Sequence, residues 1–256
     1  MAAPTYGVRG IVVRKTKLGE SDLICTLVAQ DGSQVRAVAK GARKPNSSFS
    51  SRLELYSVVD LLCAQGRNLD IVKEARLVSA HDGLRMSVER SAAAACIAEL
   101  LERLTQPKLP CDRLFDCSCA ALDCVERCVI DSLPFVCASQ LLKSLAFEGL
   151  RPSLRVCAAC GCDVDAAQGE GIARFSVHDG GLMCPDCARV AQTTPVGAAT
   201  LSWAYLGLSS TFTQIEHSGA TVQIGIDCMQ LCLAWIRAHV GYDLKSARFL
   251  LTAGLF

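Results

Sequence analysis

The hydrophobic period of this chain changes at His81-Asp82-Gly83, and that switch limits the possible folds more than any single residue does. Before it, apolar and polar residues alternate at period two, as half-buried strands require. After it, apolar residues recur at spacings of three and four, as amphipathic helices require. A segment patterned for one period misplaces half its apolar side chains in the other, so a β unit must come first and a helical unit second.

The first strand is predicted over 6–15, where Val8, Gly10, Val12 and Arg14 alternate with Gly7, Arg9, Ile11 and Val13. Lys17 to Asp22 reads as a turn and Leu23 to Gln30 as a second strand. Asp31-Gly32 is a hairpin signal, and Gln34 to Lys40 returns as the third strand. After the loop Gly41–Ser51, Leu53–Cys63 and Leu69–Val78 form a further pair around Gln65-Gly66-Arg67-Asn68. Five short strands in about 75 residues suit a small closed barrel of OB type, with an SH3-like barrel as the alternative.

The third strand carries cations. At period two, Val35, Ala37 and Ala39 face inward while Gln34, Arg36, Val38 and Lys40 face outward, and Arg43, Lys44 and Arg52 follow in the adjoining loop. Such a platform can track a nucleic-acid backbone, because phosphate contacts come mainly from Lys and Arg. An ordinary solvated strand face would show the same pattern. The overall net charge of +1 hides an asymmetry: residues 1–80 hold 12 Lys+Arg against 7 Asp+Glu, and the remainder holds 14 against 18. The basic part of the chain is the β unit, as a polyanion-binding module joined to a near-neutral body would be.

Past the switch, Ile97, Leu100, Leu101 and Leu104 predict a helix over 87–105 that Pro107 and Pro110 end. Leu114, Ala121, Val125 and Val129 mark a second, and Leu141, Leu142 and Leu145 a third that stops at Gly149. After Pro195, Leu201, Ala204, Tyr205 and Leu208 form one stripe and Ile226, Met229, Leu233, Ile236 and Val240 another. These stripes are core rather than a cofactor box.

Between the helical parts lies an insert with Cys157-Ala-Ala-Cys160 and Cys184-Pro-Asp-Cys187. Two such turns can supply a tetrahedral tetrathiolate shell, with Zn–S near ~2.3 Å and no open position for water, so the ion would be structural. Arg174–His178, Asp179-Gly180 and Gly181–Met183 read as a hairpin returning the second pair to the first. A redox C-x-x-C or plain core cysteines are the competing readings, and Cys162 and His178 are spare ligands nearby. Of the 16 cysteines, most of the twelve outside these pairs, such as Cys96, Cys124, Cys228 and Cys232, occupy helix positions suited to small apolar residues and read as reduced core fillers.

The expected architecture is α+β. An OB-fold β-barrel over 1–80 precedes an all-α domain over 81–150 and 193–256, which is interrupted by a four-cysteine zinc ribbon over 151–192. No window approaches the ~18 uncharged apolar residues of a membrane span, and the N-terminus lacks a continuous apolar stretch, so a cytoplasmic protein is expected. The four histidines, His81, His178, His217 and His239, show no ligand spacing, and no phosphate loop or nucleophile triad signature appears. An enzyme acting on nucleic acid and a zinc-stabilised interaction scaffold remain as other classes.

Gly10-Ile-Val-Val-Arg14, Gly19-Glu-Ser-Asp22, Val35-Arg-Ala-Val-Ala-Lys-Gly-Ala-Arg43, the four-cysteine ribbon and the closing Leu244-Lys-Ser-x-x-Phe249-Leu250 follow one another in the order of the bacterial RecO family of recombination mediators, which the chain resembles over nearly its whole length. The resemblance implies a non-catalytic, nucleoid-associated protein that binds single- and double-stranded DNA and anneals complementary strands. With RecR it would help load RecA onto DNA coated with single-stranded DNA-binding protein. It implies DNA contacts from Arg36 and Lys40, with Arg43 and Lys44 beside them and Arg14, Lys15 and Arg52 around the same barrel. It implies one zinc ion on Cys157, Cys160, Cys184 and Cys187. The acidic, apolar-ended tail of single-stranded DNA-binding protein would dock in the helical domain around Lys143, Phe147 and Arg151. The barrel has only Tyr6, Phe49 and Tyr56 as aromatics, which favours backbone tracking and strand pairing over sequestration of one strand.

Overall fold

The computed structural model describes residues 3–164 and 171–256. Six residues of the expected ribbon, 165–170, lie outside the described ones. The chain divides into two compact units, Met1–Glu126 and Arg127–Phe256.

In the first unit, β1 (Thr5–Leu18), β2 (Asp22–Ala29), β3 (Gln34–Ala39), β4 (Val58–Ala64) and β5 (Asp70–Ser79) close a barrel in the order β1-β2-β3-β5-β4. All neighbours are antiparallel except β3 and β5, whose short parallel pairing closes the ring at Ala37↔Asp70 and Val38↔Ile71. The interior is filled by Val12, Cys25, Leu27, Ala37, Ala39, Val59, Leu61, Cys63, Val72 and Ala75, the inward half of each alternation.

Two local departures from strict alternation matter. A bulge between Val12 and Arg14 shifts the register of β1 against β2 by one residue. Without it Arg14 would share the inward side of Val12; with it Arg14 stands outside, opposite Thr26. The expected strand from Leu53 begins only at Val58, because Tyr56 adopts a left-handed backbone with φ 72°. Leu53 instead drops from a loop of short turns into the barrel core, where it is fully buried beside Ala42.

The helices α1 (Val88–Leu104) and α2 (Leu114–Arg127) also belong largely to this first unit, and α1 packs on β1 and β2. Ser87 caps α1 by accepting a hydrogen bond from the Arg90 N–H. The Gln34 amide donates to the carbonyls of Glu102 and Thr105 at the end of α1.

In the second unit α3 (Leu133–Phe147) is the central helix, buried continuously from Leu133 to Leu145. Against it pack α4 (Ala198–Ser209) and α6 (Val222–His239), with α5 (Phe212–Glu216) and α7 (Lys245–Thr252) completing the body. Close approach depends on Gly225: a Cβ there would lie 2.7 Å from the Phe135 backbone nitrogen and 2.8 Å from Pro134. The ribbon is a three-stranded sheet in the order β7-β6-β8, formed by β6 (Ile172–Ser176), β7 (Gly181–Met183) and β8 (Thr194–Gly197). Helix resumes after Pro195 as expected, at Ala198, while Pro195 itself sits in the unforeseen strand β8, at the sheet edge where its missing N–H costs nothing.

Candidate nucleic-acid interface and metal centre

The outer face of β1, β2 and β3 is organised in rungs. Thr26 pairs with Arg14 on one side and Arg36 on the other, giving a rung of two guanidinium side chains across a threonine. The next rung runs Thr16, Ile24, Val38 and Ile71. Val38, expected to face solvent, is buried on this face beside its two isoleucine neighbours. The result is an aliphatic strip alongside cations.

The predicted cations differ in what already holds them. Arg36, Lys40 and Lys44 are exposed, and no ion pair is found for them among the described residues. Lys40 and Lys44 both act on Asp22, which is held below the usual carboxylate range chiefly by the Gly41 N–H and the Ser21 hydroxyl, with these two lysines adding to the effect. Arg14 is paired with Glu102 at 2.6 Å, and Arg43 donates to the carbonyls of Gly19 and Glu20. Arg52 donates to the Ala75 carbonyl. Lys15 follows the bulge to a position opposite the inward Cys25 and pairs with Glu54 at 2.9 Å. The structure thus separates three uncommitted cations from four that stabilise turns and barrel ends.

Sequence reasoning missed a groove. A cavity of 490 Å³ lies along the end of β3 and the turn between β4 and β5; its lining includes Tyr6, Gln34, Arg36, Arg67, Asn68 and Lys108. Three cations therefore face one depression. The two carboxylates in its wall are engaged locally: Asp70 accepts from the Tyr6 hydroxyl and Gly66 N–H, and Asp31 from the Ser33 N–H and hydroxyl. Lys108 stands 68 residues beyond Lys40 in sequence, and only the path of the chain after α1 brings it here. The turn Gln65-Gly66-Arg67-Asn68 was legible as a turn; its charge was the available signal.

The histidines are not as isolated as their spacing suggested. His81 meets Asp123 and Glu126 in one cluster. The His81 Nδ1–H donates to the Tyr56 carbonyl, Nε2 lies 3.0 Å from Asp123 Oδ1, and Glu126 accepts the Gly83 N–H. These bonds tie the exit of the barrel to α2, which gives the cluster a structural role.

In the second unit, the ribbon assembles thiols as expected but with a different membership. Leu182 is bonded to Ser153 and Ala158 through its N–H and carbonyl, so the segment before the first cysteine pair lies along β7 and sets Cys157 beside Cys184. Cys157, Cys160, Cys162 and Cys184 have sulfur atoms all within 4.8 Å of one another. Cys162, expected only as a spare, joins this group because Gly161, at φ 75°, turns the chain and the Cys157 N–H donates to the Cys162 carbonyl. Cys187 is not one of the four, although it packs against Cys157 and Cys184 with its N–H donor 3.5 Å from Cys184 Sγ; the neighbouring thiols, Cys184 first, push its own thiol up to about 12.

This donor set fits a soft divalent ion. Cys160 and Cys184 are 3.8 Å apart, the S–S edge of a tetrahedron with arms of ~2.3 Å being about 3.8 Å. Burial pushes the Cys157 thiol up, but N–H donors from Cys184, Cys160 and Ala159 outweigh it and bring the thiol down to about 6. Cys184 is lowered first by the Cys187 N–H. The leading cysteine of each pair is therefore the one whose thiolate form the neighbouring amides favour, and the thiolate is the form that a metal binds. His178, the other spare ligand, lies beside Asp179 instead.

Of the three residues expected at the protein-docking site, Lys143 is only 7% exposed and its ammonium donates to the carbonyls of Gly207, Leu208 and Ser210. It closes the end of α4 and offers no surface charge. Phe147 is half-buried and Arg151 exposed. Arg151 lines a 480 Å³ groove with Leu154, Arg155, Tyr205 and Leu208, in which the Arg155 guanidinium sits 5.1 Å from the centre of the Tyr205 ring.

A closed five-stranded OB-type barrel with a cationic outer face, joined in sequence to a helical body bearing a thiol-rich ribbon, defines a two-unit OB-barrel protein with a candidate structural metal centre. Residues 1–81 match the family model for the Recombination protein O N terminal, and residues 85–248 that for the Recombination protein O C terminal. A protein of Bifidobacterium adolescentis named DNA repair protein RecO is 33% identical over 254 residues, covering 96% of this chain and 99% of the relative. The DNA repair protein RecO of Frankia casuarinae is 37% identical over 256 residues, covering 96% and 98%. That of Rubrobacter xylanophilus is 37% identical over 198 residues, covering 77% of each. The chain belongs to the RecO family, and its role is in DNA repair and recombination. No helix among the described residues is long and apolar enough to cross a membrane.

Proposed function

We propose that this chain is a non-catalytic recombination mediator. It binds single- and double-stranded DNA without reading sequence, anneals complementary strands and, with RecR, helps load RecA onto DNA coated with single-stranded DNA-binding protein. The observation that carries this reading is the outer face of β1–β3, where Arg36 stands on a rung with Arg14 and also lines the groove of Arg67 and Lys108. Cations so placed neutralise phosphates of any sequence. Ile24, Val38 and Ile71 supply an apolar strip where this barrel lacks exposed aromatics, enough to lie against bases without trapping them. Annealing requires that combination, with charge screened on two strands and base edges left free to pair. Arg36, Lys40 and Lys44 are the direct phosphate contacts, and Arg14, Lys15, Arg43 and Arg52 support the face.

The ribbon holds one structural zinc ion through the cysteines of its two pairs, Cys157, Cys160, Cys184 and Cys187. When bound, the ion supplies folding energy to a small sheet that has little core of its own. The acidic tail of single-stranded DNA-binding protein docks in the groove of Arg151, Arg155 and Tyr205, where two guanidinium groups meet an aromatic ring and two leucines.

The test is an annealing assay on complementary strands coated with single-stranded DNA-binding protein. Wild-type chain accelerates pairing, and R36A/K40A loses most of that acceleration while unfolding at the same temperature. Full activity in this variant refutes the assigned face.

A further inference from the structure

The ribbon contains more thiols than a tetrahedral ion can use, and the surplus is arranged around a shared base. Cys160 and Cys184 are 3.8 Å apart. Cys162 lies 3.4 Å from Cys160 and shares a cluster with Cys157, Cys160 and Cys184. Cys187 packs against Cys157 and Cys184, with its N–H donor 3.5 Å from Cys184 Sγ. Cys157 and Cys184 are buried, Cys160 and Cys162 exposed, and Cys187 half-buried. Four sulfurs at ~2.3 Å fill the shell of a tetrahedral ion, so a fifth cannot be bound at the same time.

We propose that Cys157, Cys160 and Cys184 form a fixed three-thiolate base for the ion and that Cys162 and Cys187 are alternative fourth ligands, exchanging at one coordination position. This inference rests on the reading that the ribbon holds zinc. In the exchange the metal–sulfur bond to Cys187 breaks as that to Cys162 forms. Cys162 gives its proton to water, the released Cys187 thiolate takes one up, and the charge of the site stays the same. The geometry makes both positions accessible. Cys162 is exposed beyond the Gly161 turn, so its side chain can rotate toward or away from the ion while its carbonyl keeps the Cys157 N–H. Cys187 opens a short helical turn, Cys187–Arg189, with no buried residue, so it too can move at small cost. The consequence is a site that keeps a complete thiolate shell if either outer cysteine is lost, and that always presents one uncoordinated thiol next to the metal.

The experiment uses the full-length chain as wild type, C162S, C187S and the double variant C162S/C187S, each loaded with zinc and, in parallel, with cobalt(II). Bound metal is measured by elemental mass spectrometry, and the thiolate count by the intensity of the thiolate-to-cobalt charge-transfer band. The expected result is one ion with a four-thiolate spectrum in wild type and in both single variants, falling to a three-thiolate spectrum and weaker retention against a chelator in the double variant. Alkylation of zinc-loaded wild type with iodoacetamide, mapped by peptide mass spectrometry, labels both Cys162 and Cys187, each in part of the molecules. A four-thiolate spectrum lost in one single variant and kept in the other identifies a dedicated fourth ligand and overturns the proposal. So does a four-thiolate spectrum in the double variant. A wild-type chain that binds no metal at all refutes the zinc reading itself, and the two failures are therefore distinct.

Discussion

Replacing Arg36, Arg67 and Lys108 together by alanine removes the three cations that line the barrel groove. No ion pair is found for any of the three among the described residues, so their loss leaves no orphaned partner. Surface changes of that kind cost within about 0.5 kcal/mol each, and the variant folds. If each cation neutralises one phosphate of a single strand, each contributes about 0.7 to the slope of log affinity against log salt, and the triple variant lowers that slope by about 2. Between about 50 and about 200 mM salt, wild type then loses roughly twentyfold more affinity than the variant. Fluorescence anisotropy on two oligonucleotides of unrelated sequence, titrated with salt, measures both slopes. The two sequences should give the same difference, because phosphate contacts carry no base information. An unchanged slope refutes the groove as a phosphate track, even if affinity falls. A difference confined to one sequence refutes backbone tracking.

Three further outcomes follow from packing and charge. Lys143→Met leaves the carbonyls of Gly207, Leu208 and Ser210 without their donor and destabilises the second unit by about 3 kcal/mol, read from the denaturant midpoint; an unchanged midpoint contradicts the structural role of Lys143. Gly225→Ala forces a Cβ against the Phe135 backbone and costs about 2 kcal/mol on the same scale, with no loss if α3 and α6 can separate freely. Asp60 bridges Arg9 and Arg76 across β1, β4 and β5, and those hydrogen bonds hold its carboxyl below the usual carboxylate range. A depressed folded-state value means that the ladder's stability, about 1 kcal/mol for so exposed a network, is fully present above the ordinary carboxylate range near pH 4 and lost as pH falls below it. Wild type should therefore exceed D60N in unfolding temperature at pH 7 and converge with it in acid; a constant gap refutes the linkage.

Period, turn chemistry and cysteine spacing are local properties, and the features that depend on them were legible. The alternation up to Val78, the Asp31-Gly32 hairpin and the helix stops at Pro107 and Gly149 all lie in the chain itself, and the barrel and helices appear where those signals put them, within a few residues. The two C-x-x-C turns likewise predicted converging thiols, since each turn's own N–H groups aim at its first sulfur.

What tertiary structure alone decided was direction and company. Whether Arg14 faces solvent or core depends on a one-residue bulge that shows only in the pairing of β1 with β2. Whether a lysine is a surface charge or a buried clamp depends on what packs over it, and Lys143 meets the end of α4 across 64 residues of chain. Arg67 and Lys108 join Arg36 only because the barrel closes and the segment after α1 returns beside β3. Cys162 enters the thiol cluster by a left-handed glycine that spacing rules do not see. Sequence by itself determined which elements form and which residue types they carry, because periodicity and turns act over a few residues. The identity of the groove and of the metal's neighbours had to wait for the fold, because contacts between distant residues are set by closure and packing, which no local pattern encodes.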